Sequence, residues 1–325
     1  MKAATVGENG VVVADIDVPR PKPNEVLVKV RACGLNRADL MVASGLAHGR
    51  TGGVGTVIGL EWSGEVVEVG SEAQGLEVGD RVMCSGGSGW AEYAVADWAR
   101  AAKIPANNMT YEQAATLPVA LQTMHDAVIT NGRLAKGESV LIQGASSGVG
   151  LMGQQIARAM GADLVIGTST NAGRRARLTE FGADLALDSS DPGWVDAVLE
   201  ATDGKGVDLI VDQISGALAN QNMAATAIRG RIVNVGRLGG KTGEFDFDLH
   251  ALRRIDYIGV TFRTRSVEEV REITRRMHAD LDGAVEAGDL ALPIDSTFLL
   301  DEVGAAVEHM RANAHFGKIV LTVGD

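Results

Sequence analysis

Between residues 138 and 239 the chain alternates short, almost unbroken apolar runs with stretches of helical period, and few folds accommodate that rhythm. ESVLIQG (138–144), DLVIGTS (163–169), ADLALD (183–188), VDLIVDQIS (207–215) and RIVNVGRLG (231–239) read as strands. GVGLMGQQIARAMGA reads as a helix, with apolar residues at 149, 152, 156 and 160, and further helices are expected over 172–181, around WVDAVLEAT and over 217–228. Strands apolar on both faces need cover on both sides. Repeated strand–helix units of this kind predict a parallel, doubly wound sheet.

The flanks differ. EVLVKVRACGL (25–35) and EWSGEVVEVG (61–70) alternate at strand period, VGDRVMC (78–84) adds a further strand, and SGLAHGRTGGVGTVIG (44–59) is a glycine-rich loop. After the α/β stretch come an amphipathic helix (266–287), the strand PIDSTFLL, a helix over 301–312 and the strand GKIVLTV. The expected organisation is a β-rich domain over 1–120, a dinucleotide-type domain over 121–265, and a return to the first domain over 266–325. The fold class is thus α/β, with a second, β-rich domain.

Composition narrows the partners. A net charge of −12 without any basic block argues against nucleic acid or an anionic membrane surface. No apolar stretch reaches membrane-span length, and the first residues lack a signal-peptide apolar region. Two cysteines, Cys33 and Cys84, are too few for a disulfide framework. A reducing cytoplasm is the expected setting, and a small molecule the expected partner.

QGASSGVGL (143–151) sits between an apolar strand and a helix, where backbone N–H groups and the helix dipole favour a phosphate. The glycine positions of G-x-G-x-x-G fall on Ala145, Ser147 and Gly150, so context carries the reading of Ser146, Ser147, Gly148, Val149 and Gly150 as a dinucleotide cradle. NAD-binding folds place an acid about 20 residues further on, on the ribose hydroxyls. Here GTSTNAGRR (167–175) has none before Glu180. Ser169 and Thr170 can bond a 2′-phosphate and Arg174 can pair with it, which favours NADPH (NADP+). The alternative is that Arg174, Arg175 and Arg177 form a solvated helix face.

In motif order the chain resembles the medium-chain dehydrogenase/reductase superfamily over essentially its whole length. The resemblance is nearest to the zinc-free quinone oxidoreductase (zeta-crystallin-like) group. VRACGLNRADL (30–40), IGLEWSGEVVEVG (58–70), LEVGDRVM (76–83), WAEYAV (90–95), YEQAATLPVALQTMHDAV (111–128), KGESVLIQGASSGVG (136–150), TEFGADLALD (179–188) and FGKIVL (316–321) carry it. It implies a GroES-like catalytic domain, a Rossmann coenzyme domain, and a homodimer or homotetramer. The three catalytic zinc-ligand positions of the superfamily correspond to Asn36, Leu60 and Val119, and Ala38 stands where the proton relay has a hydroxyl. Leucine and valine offer no lone pair and a carboxamide is a poor zinc ligand, so no metal is expected.

Without a Lewis acid, hydride acceptors that delocalise the incoming charge remain feasible, namely quinones and α,β-unsaturated carbonyls. Two alternatives stand beside that reading: a zinc-free carbonyl reductase or alcohol dehydrogenase, and a non-catalytic NADPH-binding protein. By the resemblance Asn36 either offers its amide to the acceptor oxygen or caps a local turn. Thr123 packs against the nicotinamide, and Gly236, Arg237, Leu238 and Phe262 lie by its ribose and amide. Lys318 is either close to the coenzyme or a plain strand-edge lysine. Asp39 and Glu61 are expected to be structural, and His125 to be a helix residue near the cofactor.

Overall fold

The computed structural model describes residues 1–47, 49 and 52–324; positions 48, 50 and 51 of the glycine-rich loop lie outside the described residues. The chain divides into two compact units, Met1–Val119 with Phe262–Asp325, and Ala120–Thr261.

The second unit is built on six parallel strands. Their spatial order is Leu185–Leu187, Leu164–Thr168, Ser139–Gln143, Val207–Asp212, Thr226–Asn234 and Asp256–Gly259. In order along the chain this is 3-2-1-4-5-6, the doubly wound arrangement. Its centre is the apolar run that the sequence announces: Val140, Leu141, Ile142, Leu209, Ile210 and Val211 are wholly buried. Helix Gly148–Ala159 follows the first strand directly. Ser147 is its N-cap, the hydroxyl accepting from Gly150 N–H at 3.0 Å, so one orphan donor of the first turn is satisfied locally.

Three expectations need correction here. The helix expected over 217–228 ends at Ala225, and the fifth strand begins at Thr226 rather than 231. Thr226 turns its hydroxyl back onto the Asn222 carbonyl at 2.7 Å, and its β-branched side chain suits the strand that pairs with Val207. The helix expected over 172–181 is two pieces, Ala172–Arg175 and a 3-10 turn Leu178–Phe181, ended by Gly182 at φ +95°. The sixth strand, Asp256–Gly259, has no counterpart in the sequence reading.

In the first unit a seven-stranded sheet runs Ile294–Leu299, Lys318–Thr322, Glu25–Gly34, Glu61–Val69, Arg81–Ser85 and Ala101–Lys103, with Tyr93–Asp97 also on Glu25–Gly34. A hairpin of Lys2–Gly7 and Gly10–Asp15 stands beside it. The core gathers around Trp62 and Trp90, both wholly buried, with Ile58, Val28, Val66 and the Val303–Arg311 helix residues Val303, Ala306 and Met310. This unit is not purely β up to residue 119: helices Arg37–Ala43 and Tyr111–Ala114 lie within it, and Pro118–His125 starts there.

Candidate active site and dinucleotide cradle

In the β-rich unit four polar side chains meet where strand Glu25–Gly34 ends. Asn36, Asp39, Glu61 and Lys318 are 8%, 1%, 0% and 4% exposed. Lys318 opens the strand Lys318–Thr322, where its side chain is enclosed and its ammonium makes three hydrogen bonds. It donates to the Leu35 carbonyl at 2.8 Å, to Asn36 Oδ1 at 3.0 Å and to Glu61 Oε1. Asn36 Nδ2 donates to the same Glu61 oxygen at 2.9 Å, and Glu61 Oε2 accepts from Val119 N–H at 2.9 Å. Ammonium can only donate and carboxylate only accept, so these two partners fix which end of the Asn36 carboxamide is oxygen. Glycine at 34 makes room for the arrangement: a Cβ there would stand 2.6 Å from Glu61 Oε1 and 2.4 Å from the Ala115 carbonyl.

Asn36 precedes helix Arg37–Ala43, and its carboxamide oxygen and one amide hydrogen are taken by Lys318 and Glu61. The capping is done from the other side: Asp39 Oδ2 accepts from Asn36 N–H at 2.7 Å. Asp39 Oδ1 has no hydrogen-bond partner. Burial pushes the Asp39 carboxyl up to about 8, against the Asn36 N–H and the Lys318 charge, which pull it down. That shift favours the protonated form of Asp39 beside the Lys318–Glu61 ion pair.

A raised folded-state carboxyl binds a proton that the unfolded chain, near 3.8, has released. Its contribution to stability is complete below pH 3.8 and is lost as pH rises toward 8. The slope across that window is about 1.4 kcal/mol per pH unit for one proton. Asp39→Asn is expected to remove that slope, so that the difference in unfolding free energy between variant and wild type changes steadily from pH 4.5 to 7.5. Urea unfolding at four pH values measures it; parallel curves would contradict the proton on Asp39.

In the parallel-sheet unit the loop Gly144–Ser147 leaves the first strand beside the fourth, where the strand order reverses and ligands of such sheets bind. Ser147 Oγ donates to Gln213 Oε1 at 3.1 Å across that point, and Gln213 Nε2 donates back to the Gln143 carbonyl at 3.1 Å. Gly150 lies against the loop so closely that a Cβ would stand 2.6 Å from the Gly144 carbonyl oxygen and 2.7 Å from Ala145 Cα. Ser146 and Ser169 meet at 3.0 Å between hydroxyls; Thr170 is exposed and Arg174 half-buried at the start of the next helix. Arg175 turns away, donating to the Ser169 carbonyl at 2.8 Å and to Asp188 at 2.9 Å. Asp188 is an acid near the second strand that the sequence reading did not weigh, and Arg175 and Ser190 both hold it. Serine hydroxyls, a helix N-terminus and a close-packed glycine fit a dinucleotide phosphate.

Thr123 is half-buried on helix Pro118–His125, and His125 is wholly buried there. Gly236 and Arg237 follow the fifth strand, Arg237 donating to the Val235 carbonyl at 3.1 Å, and Leu238 is exposed. Phe262 falls in the β-rich unit with the Arg265 guanidinium 5.4 Å from its ring centre.

A zinc ion does not suit the donors present. Asn36 Oδ1 already takes an ammonium, and the side chains of Leu60 and Val119 have no lone pair. Among the described residues no group of three or more His, Cys, Asp and Glu could hold a metal ion, and no helix is long and apolar enough to cross a membrane.

A family model for the alcohol dehydrogenase GroES-like domain matches residues 22–106, and one for zinc-binding dehydrogenase matches 148–279. The chain is 30% identical to the quinone oxidoreductase of Homo sapiens over 311 residues, 95% of this chain and 92% of that protein. It is also 30% identical, over 95% of its length, to the highly reducing polyketide synthase ALT1 of Alternaria alternata, of which it spans 12%. An alcohol dehydrogenase superfamily protein from Novosphingobium aromaticivorans matches with a TM-score of 0.89 at 29% identity, covering 100% of both chains. The chain belongs to the medium-chain dehydrogenase/reductase superfamily, in its quinone oxidoreductase group, and is an oxidoreductase with a unit for a nicotinamide dinucleotide, NAD(P).

Proposed function

We propose that this protein is an NADPH-dependent, zinc-independent reductase of a quinone or an α,β-unsaturated carbonyl. Asn36 carries the reading. Its oxygen receives the Lys318 ammonium while one amide hydrogen goes to Glu61. Its second N–H, polarised by the cation at the far end of the carboxamide, is assigned to stabilise negative charge on an acceptor oxygen. Such a donor is weaker than a metal ion and suits acceptors that spread their charge by conjugation. When bound, the dinucleotide would supply hydride; Ser146, Ser147, Gly148, Val149 and Gly150 would hold its phosphates, and Thr123, Gly236, Arg237 and Leu238 are assigned to its nicotinamide end. Small-molecule acceptors agree with the quinone oxidoreductase relative.

NADPH is preferred because the residues near the end of the second strand bring hydroxyls and a guanidinium, with no unpaired acid in the stretch 167–175. Ser169, Thr170 and Arg174 serve the 2′-phosphate, and Arg175 neutralises Asp188. Arg174→Ala is expected to weaken NADPH binding about 10–100-fold, the range for a charge-assisted phosphate contact, and to change NADH binding less than about threefold. Fluorescence titration with both nucleotides measures this; equal losses for both would count against a 2′-phosphate contact.

The chain is further proposed to pair with itself through the outer strand Asp256–Gly259. Phe247, 77% exposed, and Leu252, 68% exposed, stand near that edge on helix Phe247–Arg253. Phe247→Lys is expected to shift the mass found by light scattering to that of one chain, and an unchanged mass would exclude this face.

A further inference from the structure

Ser215 is in a backbone conformation that belongs to glycine. At φ 60° and ψ −150° a side chain is strained, and a non-glycine residue persists there only when its surroundings over-determine it. The surroundings do so. Ser215 N–H donates to Asp212 Oδ1 at 2.9 Å, its hydroxyl donates to the Gly236 carbonyl at 2.7 Å, and the same hydroxyl accepts from Asn234 Nδ2. A backbone bridge to Gly240 holds it from another side.

These contacts are the end of a longer buried chain of hydrogen bonds. Gly144 N–H, in the phosphate loop, donates to Thr168 Oγ1 at 3.1 Å, and Thr168 donates to Gln143 Oε1 at 2.7 Å. Gln143 Nε2 donates to Asn222 Oδ1 at 2.8 Å, and Asn222 Nδ2 donates to Asp212 Oδ2 at 3.0 Å. Gln143, Thr168, Asp212 and Asn222 are each 0% exposed. The chain crosses the carboxyl ends of the second, first, fourth and fifth strands, the edge at which sheets of this type bind ligand.

We propose that Ser215 is a positioning residue for the dinucleotide. It ties the loop Gly236–Gly240 to the phosphate loop through this buried chain, so that both are set before the dinucleotide arrives. Glycine at 215 would remove the backbone strain. It would also leave the Gly236 carbonyl without its hydroxyl donor, which explains why serine is worth its strained geometry. The inference rests on the reading of this unit as the dinucleotide holder.

Two variants and three readouts test it. In the protein without nucleotide, Ser215→Gly is expected to raise amide hydrogen exchange in residues 236–240 by about tenfold or more, while the thermal midpoint stays within about 2 °C of wild type. NADPH binding by the same variant is expected to weaken about 5–10-fold. Ser215→Ala keeps the strain and loses the hydroxyl, so it is expected to show the same faster exchange with a midpoint about 2–4 °C below that of Ser215→Gly. Unchanged exchange at 236–240 in Ser215→Gly would overturn the tie, and equal midpoints for the two variants would overturn the strain. Faster exchange with unaltered NADPH affinity would overturn the positioning role. A wild-type protein that binds neither NADPH nor NADH would refute the dinucleotide reading itself, a result separate from the exchange measurement.

Discussion

Replacing Lys318 with methionine is expected to cost about 3–5 kcal/mol of unfolding free energy, the range for removing one partner of a buried ion pair. Lys318 and Glu61 are 4% and 0% exposed at the side chain, so solvent cannot take over the screening. Without the ammonium, Glu61 retains the Asn36 amide and Val119 N–H but loses its countercharge, and Asn36 Oδ1 and the Leu35 carbonyl each lose a donor. The partner substitution separates charge from packing. Glu61→Gln in the Lys318→Met background is expected to recover about half of the loss, because no unpaired charge is then buried. Urea unfolding of the single and double variants measures both. A loss below about 1 kcal/mol for Lys318→Met, or no recovery in the double variant, would show that the pair is not the organising charge of the site.

Gly150→Val is expected to abolish dinucleotide binding at accessible concentrations, a loss of about 100-fold or more. Even the first carbon of a side chain would press within 2.6 Å of the Gly144 carbonyl oxygen and 2.7 Å of Ala145 Cα, and both obstacles are backbone. The loop would have to move away from the helix N-terminus proposed to face the phosphate, weakening the N–H geometry and the dipole contribution together. Calorimetric titration with NADPH is the check. Affinity within about threefold of wild type would mean that the phosphates lie elsewhere. Gly148→Ala is a useful comparison, with a smaller loss expected from a position at the start of the same helix.

How much of this could be read from the chain alone varies with the kind of residue. The strands around Val140–Ile142 and Leu209–Val211 are legible because burial on both faces leaves uninterrupted apolar runs. The outer strand Asp256–Gly259 is not, since it is partly exposed and short, and its sequence DYIG resembles a turn. Helix Tyr111–Ala114 did leave a mark: Thr110 and Gln113 form the capping box that its spacing spells. Helix Arg37–Ala43 left a similar one, with Asp39 three residues after Asn36 reaching back to its N–H. The loop Gly144–Ser147 was legible as a strand-to-helix connection from its setting rather than from its glycines. The cluster that gives Asn36 its character was not. Lys318 is 282 residues away from Asn36 and 257 from Glu61, and no local pattern links them. The strain at Ser215 is likewise silent in sequence, because serine is common in turns of every type.

The cluster bears on the two readings of Asn36. As a turn cap it would point at the helix N–H groups, and as a site residue it would point away from them. Asp39 performs the capping, which releases the carboxamide for Glu61 and Lys318. In the proposed reaction the Lys318 ammonium on Asn36 Oδ1 would draw electron density from the carboxamide that meets the acceptor.

The most direct test of zinc-independent, NADPH-driven reduction is turnover by protein treated with a strong chelator and verified free of zinc by elemental analysis. NADPH oxidation is followed with a quinone, an enone and a saturated ketone, and NADP+ reduction with a secondary alcohol. NADPH consumption with the quinone or the enone at the rate of untreated protein, with little or no alcohol oxidation, is the result expected. Loss of that turnover on chelation with recovery on adding zinc, or brisk alcohol oxidation in preference to enone reduction, would contradict it.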